Sequence, residues 1–231
     1  GSKKYITASL DQSLNRMKLD YVDIFYSHRF DPKTPLEETA DALHRAVHQG
    51  KALYIGISSY SSKQTIKMNK LLKQRGIKCL IHQPSYSMIN RWIEKDLLKT
   101  LKKLGIGCIA FSPLAQGMLS DKYIKIIPTK SRANENSSLS PRLITKSYKE
   151  KIINLKKIAS KRNQTISQMA LSWVLRHQEV TSALIGARTI KQLEECLDSL
   201  NNPNFTKKEL KSIDKFAKEE DINLWSASSK N

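Results

Sequence analysis

Short runs of apolar residues recur along this chain of 231 residues, and each is followed by a helical pattern. The runs lie at 22–27, 53–58, 79–84, 107–111 and 181–186. Parallel strands buried on both faces are continuously apolar, whereas half-exposed strands alternate. We therefore expect these runs to be parallel strands of βα units that are covered on both sides. Such units leave two architectures open, a closed barrel or an open doubly wound sheet.

The loop after the first strand distinguishes these two architectures. A doubly wound dinucleotide fold carries GxGxxG there, and this chain has no such motif. We therefore expect an α/β fold of the (β/α)8 TIM-barrel type, here an incomplete barrel of about five βα units plus C-terminal helices. Since such barrels reach about 200–250 residues as one unit, residues 1–231 are expected to form a single domain.

Barrel enzymes place their functional residues at the carboxyl ends of the strands. In this chain those ends carry mostly polar or small side chains, as expected around a polar ligand. They are Ser27-His28, Ser58-Ser59, Gln83, Phe111-Ser112 and Gly186-Ala187.

Capping signals predict where several helices begin. A hydroxyl residue followed three positions later by Glu or Gln forms a capping box. Such boxes start at Thr34, Ser61, Thr165, Thr189 and Thr206. The first also has Pro35 at the first helical position, and Gly50 lies where that helix should end.

The chain is strongly basic, with a formal net charge of +19. Its lysines recur at helical spacing without interleaved aromatic residues, which favours solvated helix faces over nucleic-acid binding. These lysines are 67, 70 and 73, then 99, 102 and 103, then 207, 208 and 211. Nucleic-acid binding is the least expected function, although a positive field would favour an anionic substrate or cofactor.

Other features limit the remaining classes of protein. No run approaches the roughly 18 apolar residues of a membrane helix, and the first residues lack a signal-peptide core, so we expect no membrane association and a cytoplasmic location. Cys79, Cys108 and Cys196 lack ligand spacing and are expected to be buried thiols. His44 and His48 share a helix face, but no third ligand accompanies them, so no metal is expected.

The segment 124–140 interrupts the βα rhythm, because it is polar and rich in turn residues. Long loops in compact domains are usually functional or disordered. We expect this one to be a mobile cover over the site.

Several motifs occur in order along the chain, at 21–29, 56–60, 82–86, 111–117 and 223–228. They resemble those of the aldo-keto reductases, and closely the bacterial branch that reduces glyceraldehyde 3-phosphate and methylglyoxal and is related to potassium-channel β subunits. The resemblance covers essentially the whole chain. It implies NADPH-dependent reduction of a small aldehyde or ketone by hydride transfer.

The resemblance also implies roles for individual residues at the nicotinamide end of the cofactor. His28 matches the residue that donates a hydrogen bond to the substrate carbonyl. Ser58, Ser59 and Gln83 match positions that hold the nicotinamide carboxamide. Phe111 matches the aromatic residue that stacks on the nicotinamide ring.

Further residues match the part of the family that binds the rest of NADPH. Ser112, Leu114, Gln116 and Gly117 match the loop that contacts the pyrophosphate. Lys122 and Arg132 are expected to supply charge to the phosphates, because phosphate recognition needs N–H donors and cations.

The adenosine end departs from the family pattern. After Gly186-Ala187 the family has Ser-Arg, whereas this chain has Arg188-Thr189, which keeps a hydroxyl and a guanidinium in reversed order. Gln192 is retained for adenine. Cys196 replaces the usual Asn, and a thiol is a weaker hydrogen-bonding group.

The family's general-acid Tyr, with the Asp and Lys that lower its pKa, precedes the segment where this sequence begins, so the chain is expected to be N-terminally truncated and impaired when alone. Tyr26 and Tyr60 lie near strand ends, but their spacing makes neither a substitute. The alternative is a non-enzymatic remnant or a module for binding cofactor or a partner. Expected partners are a small aldehyde or ketone and either a second copy of the chain or a complementing N-terminal fragment.

Overall fold

The computed structural model describes residues 1–129, 131–134 and 139–219. The helices are α1 (Lys3–Met17), α2 (Leu36–His48), α3 (Ser62–Gln74), α4 (Leu97–Leu104), α5 (Lys146–Lys161), α6 (Ile166–Val174), α7 (Ile190–Leu197) and α8 (Lys207–Asp214). The strands are β1 (Val22–Ser27), β2 (Ala52–Ser58), β3 (Cys79–Gln83), β4 (Gly107–Ala110) and β5 (Val180–Ala183). Short 3₁₀ helices lie at Trp92–Glu94, Ala115–Gly117, Asp121–Tyr123, Pro141–Leu143 and Asp198–Asn201.

The strands follow chain order in the sheet, β1-β2-β3-β4-β5. β2 pairs in parallel with β1 and β3, and β3 pairs in parallel with β4. Parallel pairing in sequence order requires a crossover between strands, which the intervening helices supply. The expected fold class, α/β with successive parallel βα units, is confirmed.

The chain divides into two compact units, and the prediction of a single domain stays a prediction. Of the described residues, unit 1 contains 1–84 and 93–109, and unit 2 contains 85–92 and 110–219. Unit 1 thus holds β1 to β3 and all of β4 except Ala110, while unit 2 holds β5 and the C-terminal helices.

The core of unit 1 is built on the apolar stripe of α2. Leu36, Ala40, Leu43 and Ala46 are buried, as their helical spacing predicts. The helix ends where expected, since Gly50 adopts a φ of 70° and its N–H donates to the Val47 carbonyl. A left-handed residue is the common way to end a helix, and glycine adopts it at low cost.

The expectation that the strands are covered on both faces is wrong for part of unit 1. Leu53, Tyr54 and Leu80 are 48%, 52% and 41% exposed, and most of β1 is only half-buried. Burial is complete at the carboxyl half of β2, from Ile55 to Ser58. A continuous apolar run predicts side chains that can be buried, but what packs on them is decided elsewhere in the chain.

Three of the predicted capping boxes form in full, at Ser61, Thr165 and Thr206. The box predicted at Thr34 is wrong. The Thr34 hydroxyl donates instead to Asp31 at 2.7 Å, and Pro35 is the N-cap without a side-chain bond. A nearby carboxylate therefore competes successfully for the hydroxyl.

Unit 2 packs around Trp173 of α6, which is fully buried as expected. The Arg176 guanidinium lies 3.4 Å from the centroid of the Trp173 ring, and Arg91 lies 5.0 Å from it. Arg176 also donates to the Tyr86 hydroxyl at 2.8 Å. These contacts join the end of α6 to residues 85–92 of the same unit.

Two compositional predictions are confirmed. The lysines at helical spacing on α3, α4 and α8 are all exposed, and the three cysteines are buried free thiols. Burial raises the pKa of the Cys79 and Cys108 thiols to about 12. Such thiols behave as small apolar side chains.

Candidate active site

A cavity of about 510 Å³ in unit 2 contains most of the residues that the sequence predicts to bind a cofactor. The predicted residues that line it are Phe111, Ser112, Leu114, Gln116, Gly117, Lys122, Arg132, Gly186, Arg188 and Gln192. They come from the segment between β4 and α5, from the loop after β5 and, for Gln192, from the first turn of α7. Its size is within the range of small-molecule sites, about 300–1,000 Å³.

The loop after β4 turns sharply along the wall of this cavity. Ser112, Ala115 and Gln116 have left-handed φ values of 54°, 47° and 59°, and Gly117 has a φ of 94°. The turn is closed by the N–H of Ala115, which donates to the Ser112 carbonyl, and by that of Gly117, which donates to the Leu114 carbonyl, both at 2.9 Å. Left-handed conformations cost energy outside glycine, and they persist where surrounding contacts determine them.

Three cations line the cavity, Lys122, Arg132 and Arg188. The pKa of Lys122 is lowered, first by burial and then by the positive charges of Arg188 and Arg132. No Asp or Glu is among the described residues that line the cavity. The cations therefore repel one another without a neutralising acid, and an anion placed among them would be stabilised.

The loop after β5 is held by the start of α7. The Thr189 hydroxyl accepts from the Gln192 N–H at 3.2 Å, as its predicted box requires. The Gln192 side-chain oxygen, however, accepts from the Arg188 N–H at 2.9 Å and not from Thr189. Thr189 itself is exposed and does not line the cavity.

The remaining predicted residues lie at the strand ends of unit 1. The Ser58 hydroxyl donates to the Gln83 carbonyl at 2.7 Å, and the Ser59 N–H donates to the same carbonyl at 3.3 Å. The Gln83 side chain is hydrogen-bonded to the hydroxyl of Tyr26. Parallel pairing of Ser58 with Gln83 places these groups side by side, so the structure brings Ser58, Ser59 and Gln83 together.

His28 directly follows the last residue of β1, and its side chain is exposed. At the strand end beneath it, the Ser27 and Tyr60 hydroxyls are hydrogen-bonded at 2.8 Å within the buried interior. The ring of Phe30 packs edge-on against Tyr60, with centroids 5.7 Å apart. His28 is therefore accessible to solvent at the end of a strand that these contacts hold in place.

Residues 1–218 match the aldo/keto reductase family. The chain belongs to this family. Two curated relatives are each named L-glyceraldehyde 3-phosphate reductase, one from Escherichia coli strain K12 and one from Escherichia coli O157:H7. Each is 53% identical to this chain over 234 aligned residues, which cover 99% of the chain and 68% of the relative.

Membership establishes an oxidoreductase family with a (β/α)8 barrel fold, as the sequence predicted. Members of the family generally use NADP(H), and the cavity of unit 2 fits such a group in two respects. Its three cations suit phosphates, which accept charge-assisted hydrogen bonds. A Cβ built on Gly186 meets no atom within 4 Å, so the backbone there is open to close approach by a ligand.

Neither tyrosine near the strand ends of unit 1 has the acidity of an aldo/keto reductase general acid. Burial raises the pKa of Tyr60 to about 12, although its hydrogen bond with Ser27 acts in the opposite direction. Burial also raises the pKa of Tyr26, while the hydrogen bond with Gln83 lowers it. A phenol that donates a proton near neutrality needs the reverse shift.

Sequence reasoning missed several residues that line the cavity, namely Pro113, Leu184, Ile185 and Ala187 as a lining residue. The strand predicted at 181–186 ends at Ala183, so Leu184 and Ile185 belong to the loop. Gly186 was predicted to line the site, so its neighbours in the same loop could have been predicted with it. His82, the first residue of the motif at 82–86, is fully buried on β3, and the sequence assigned it no individual role.

The described residues contain no group of three or more His, Cys, Asp or Glu side chains that could hold a metal ion. His44 and His48 stack on each other with ring centroids 5.7 Å apart. In the part of the chain that the structure describes, no helix is both long and apolar enough to cross a membrane. The motif at 223–228, Lys130 and residues 135–138 of the expected cover lie outside the described residues.

Proposed function

We propose that unit 2 binds NADPH in its cavity and that this chain contributes to the reduction of a small aldehyde or ketone. The observation that carries the proposal is the convergence of Lys122, Arg132 and Arg188 in a cavity whose described lining has no acid. Bound there, NADPH would supply the hydride.

The three cations would neutralise the phosphates. Arg132 and Arg188 can each present a pair of N–H groups to one phosphate, whereas Lys122 acts as a point charge. Burial, and after it the charges of Arg188 and Arg132, lower the pKa of Lys122, and the same anion would offset that repulsion. The cation cluster would thus be more stable with the cofactor than without it.

The cavity's other residues would bind the uncharged parts. Phe111 offers a ring face for stacking, and Gly186 leaves open space beside its backbone. Because the Gln192 oxygen is engaged by the Arg188 N–H, its amide group would be the donor to an adenine nitrogen. Gln192 would therefore recognise an acceptor and not a donor.

In unit 1, the existing hydrogen bonds limit what each group can do. The Ser58 proton is directed to the Gln83 carbonyl, so the Ser58 oxygen would accept from a carboxamide N–H. The exposed His28 would donate to a carbonyl oxygen and so orient the carbonyl carbon for hydride addition. Both roles are those that the resemblance implies at these two positions.

For the substrate we propose a small aldehyde of the glyceraldehyde 3-phosphate or methylglyoxal type, since the Escherichia coli relatives are named L-glyceraldehyde 3-phosphate reductase. The buried free thiols support action in the cytoplasm, where thiols stay reduced.

A second candidate is supported by the raised pKa values of Tyr26 and Tyr60. Without a phenol of lowered pKa among its described residues, the polypeptide of residues 1–231 assayed alone would bind cofactor with little turnover. It would then act as a cofactor-binding module, or as one part of a site completed by another polypeptide.

The test is a fluorescence titration with NADPH, followed by aldehyde-dependent NADPH oxidation with L-glyceraldehyde 3-phosphate. The second assay is run with and without the part of the Escherichia coli K12 relative that lies outside the aligned region. We expect saturable binding, little turnover alone and more turnover with the added part. Absence of saturable binding would exclude the cofactor site, and turnover alone at the rate of the intact relative would exclude the impairment. Binding without turnover in either assay would favour the binding module.

A further inference from the structure

A second cavity, of about 390 Å³, lies in unit 1 where α2 and α3 begin. Its apolar wall consists of Phe30, Pro35 and Leu36. Its polar rim consists of Thr34, Glu37, Lys63, Gln64 and Lys67, and the one acid among them, Glu37, is paired with Lys67. Phe30 is held in place by its edge-on contact with Tyr60. The cavity lies in the size range of small-molecule sites and is separate from every residue assigned above to cofactor or carbonyl.

Gln64 is the most informative side chain in this cavity, because it is buried and only half-satisfied. Its side-chain oxygen accepts from the Ser61 N–H at 2.8 Å, which completes the capping box of α3. The residue is only 6% exposed, and its Nε2 has no hydrogen-bond partner among the described residues. A buried donor left unpaired is costly, so a ligand that brings an acceptor would gain from it.

The charges around Gln64 define what kind of acceptor fits. Lys63 is exposed in the first turn of α3 and has no ion pair among the described residues, whereas Lys67 pairs with Glu37 at 3.1 Å. The first turn of α3 contains no acidic residue, and the helix has 13 residues. The start of such a helix carries partial positive charge, which favours an anion.

We propose that this cavity binds a small carboxylate that has an apolar chain or ring. The apolar part packs on Phe30, Pro35 and Leu36, and the carboxylate accepts from the Gln64 amide and the Lys63 ammonium. An uncharged apolar molecule would leave Lys63 without a partner, and a bare anion would leave the apolar wall in water. Both halves of the ligand are therefore needed.

The test uses the full 15N-labelled chain and three probes, with chemical shifts as the readout. Hexanoate carries both features, hexanol only the apolar chain and acetate only the carboxylate. We expect hexanoate to shift the resonances of residues 30–37 and 61–67. Hexanol should bind about tenfold more weakly because it loses the hydrogen bonds of the carboxylate. Acetate should bind about tenfold more weakly because it buries fewer methylene groups. Equal binding of hexanol, or shifts confined to other regions, would overturn the proposal.

A matched pair of variants tests the contact assigned to the Gln64 amide. Gln64→Glu replaces the Nε2 donor with an anionic oxygen, which would repel the ligand carboxylate, and it keeps an acceptor for the Ser61 N–H. The box at Thr206 already functions with Glu209 at this position. Gln168→Glu makes the same change in the box of α6 and is the control. We expect Gln64→Glu to weaken hexanoate binding about tenfold or more and Gln168→Glu to leave it unchanged. Unaltered binding by Gln64→Glu would overturn the assigned contact.

Lys63 is tested in the same way, with an exposed lysine of the same helix as control. Lys63→Ala should weaken hexanoate binding, and Lys70→Ala should not, because Lys70 does not line this cavity. Both side chains are exposed, so neither change threatens folding. An equal effect of the two variants would indicate nonspecific attraction by the positive net charge and would overturn the site.

Discussion

The polar groups at the strand ends of unit 1 stabilise one another, whereas the cations in the cavity of unit 2 repel one another. In unit 1 the polar groups satisfy one another, with Ser58 bonded to Gln83 at 2.7 Å and Ser27 to Tyr60 at 2.8 Å. In unit 2, Lys122 lies near two further cations that make its charged form less favourable. The polar groups of unit 1 are thus stabilised without a ligand, whereas the cations of unit 2 would gain stability from an anionic one.

This difference shows how the two regions can contribute to function. Mutually bonded groups are held in one geometry, which is what orientation of a reacting group requires. Cations that repel each other gain stability when an anion arrives, which is what binding requires. Under the proposed function, orientation and affinity would therefore depend on different residues in this chain and could be altered separately.

The largest expected effect comes from removing two cations of the cavity. Arg132→Ala combined with Arg188→Ala should raise the Kd for NADPH by a hundredfold or more, since each charge-assisted hydrogen bond contributes about 1.5–3 kcal/mol. Fluorescence titration measures the change. The folded protein should not be destabilised, because the substitutions also remove repulsion.

Arg142→Ala is the matched control, since Arg142 is exposed and does not line the cavity. A Kd that rises equally in the control would mean that overall positive charge, and not the cluster, binds the cofactor. The contrast between the two regions would then be lost.

The next effect is a dependence of stability on pH that originates in unit 1. Burial lowers the pKa of His82 to about 4, while its hydrogen bond to the Tyr60 carbonyl acts in the opposite direction. Its Nε2 lies 3.1 Å from that carbonyl, which can only accept, so Nε2 carries the proton and the buried Nδ1 is left without a partner among the described residues. His82 is thus neutral in the folded protein.

The unfolded chain binds a proton at His82 near pH 6.5, whereas the folded chain binds it only near pH 4. The contribution of neutral His82 to the free energy of unfolding is therefore fully present above about pH 6.5 and is lost as the pH falls to about 4. The loss across that window is of the order of 3 kcal/mol. Urea unfolding at several pH values measures it, and His82→Gln should remove this part of the dependence. His48→Gln, at an exposed histidine, is the control; an identical pH profile for wild type and His82→Gln would contradict the assignment.

A smaller effect concerns the packing that supports Gln83. Gly56 pairs with Tyr26 across β1 and β2, and a Cβ on Gly56 would lie 2.5 Å from the Tyr26 ring. Gly56→Ala should destabilise the fold by about 1–3 kcal/mol, because overpacking forces side chains and backbone to shift. It should also disturb the bond between Tyr26 and Gln83.

The matched substitution in unit 2 is Gly186→Ala, where the added Cβ meets no atom within 4 Å. Thermal unfolding should show a loss for Gly56→Ala and almost none for Gly186→Ala. Equal losses would mean that the two regions do not differ in packing, which would weaken the comparison.

Local sequence predicted local structure well where no distant group competes. The capping boxes at Ser61, Thr165 and Thr206 form as written, since both partners lie within four residues. Thr34 fails because Asp31 competes for its hydroxyl, and Thr189 is only half as predicted because Gln192 turns to the Arg188 N–H. In each failure a neighbouring donor or acceptor offered a better bond.

The candidate site was predictable to the extent that it follows strand ends and family motifs. Lining by Phe111, Gly117 and Gly186 follows from their place after β4 and β5. The burial that makes Tyr60 a poor acid and His82 a neutral histidine does not follow from their neighbours in sequence. Desolvation depends on what packs around a group, which local pattern does not encode.

By itself the sequence determined the order of parallel βα units, the caps whose partners are local, and membership of the aldo/keto reductase family. Only the tertiary structure decided which polar groups are already satisfied and which residues line each cavity. Within the described residues, it decided that three cations line one cavity without an acid and that the Gln64 Nε2 has no partner beside an apolar wall. The physical reason is range. Backbone propensity and capping act over a few residues, whereas burial and electrostatics depend on groups that the fold brings together from distant parts of the chain.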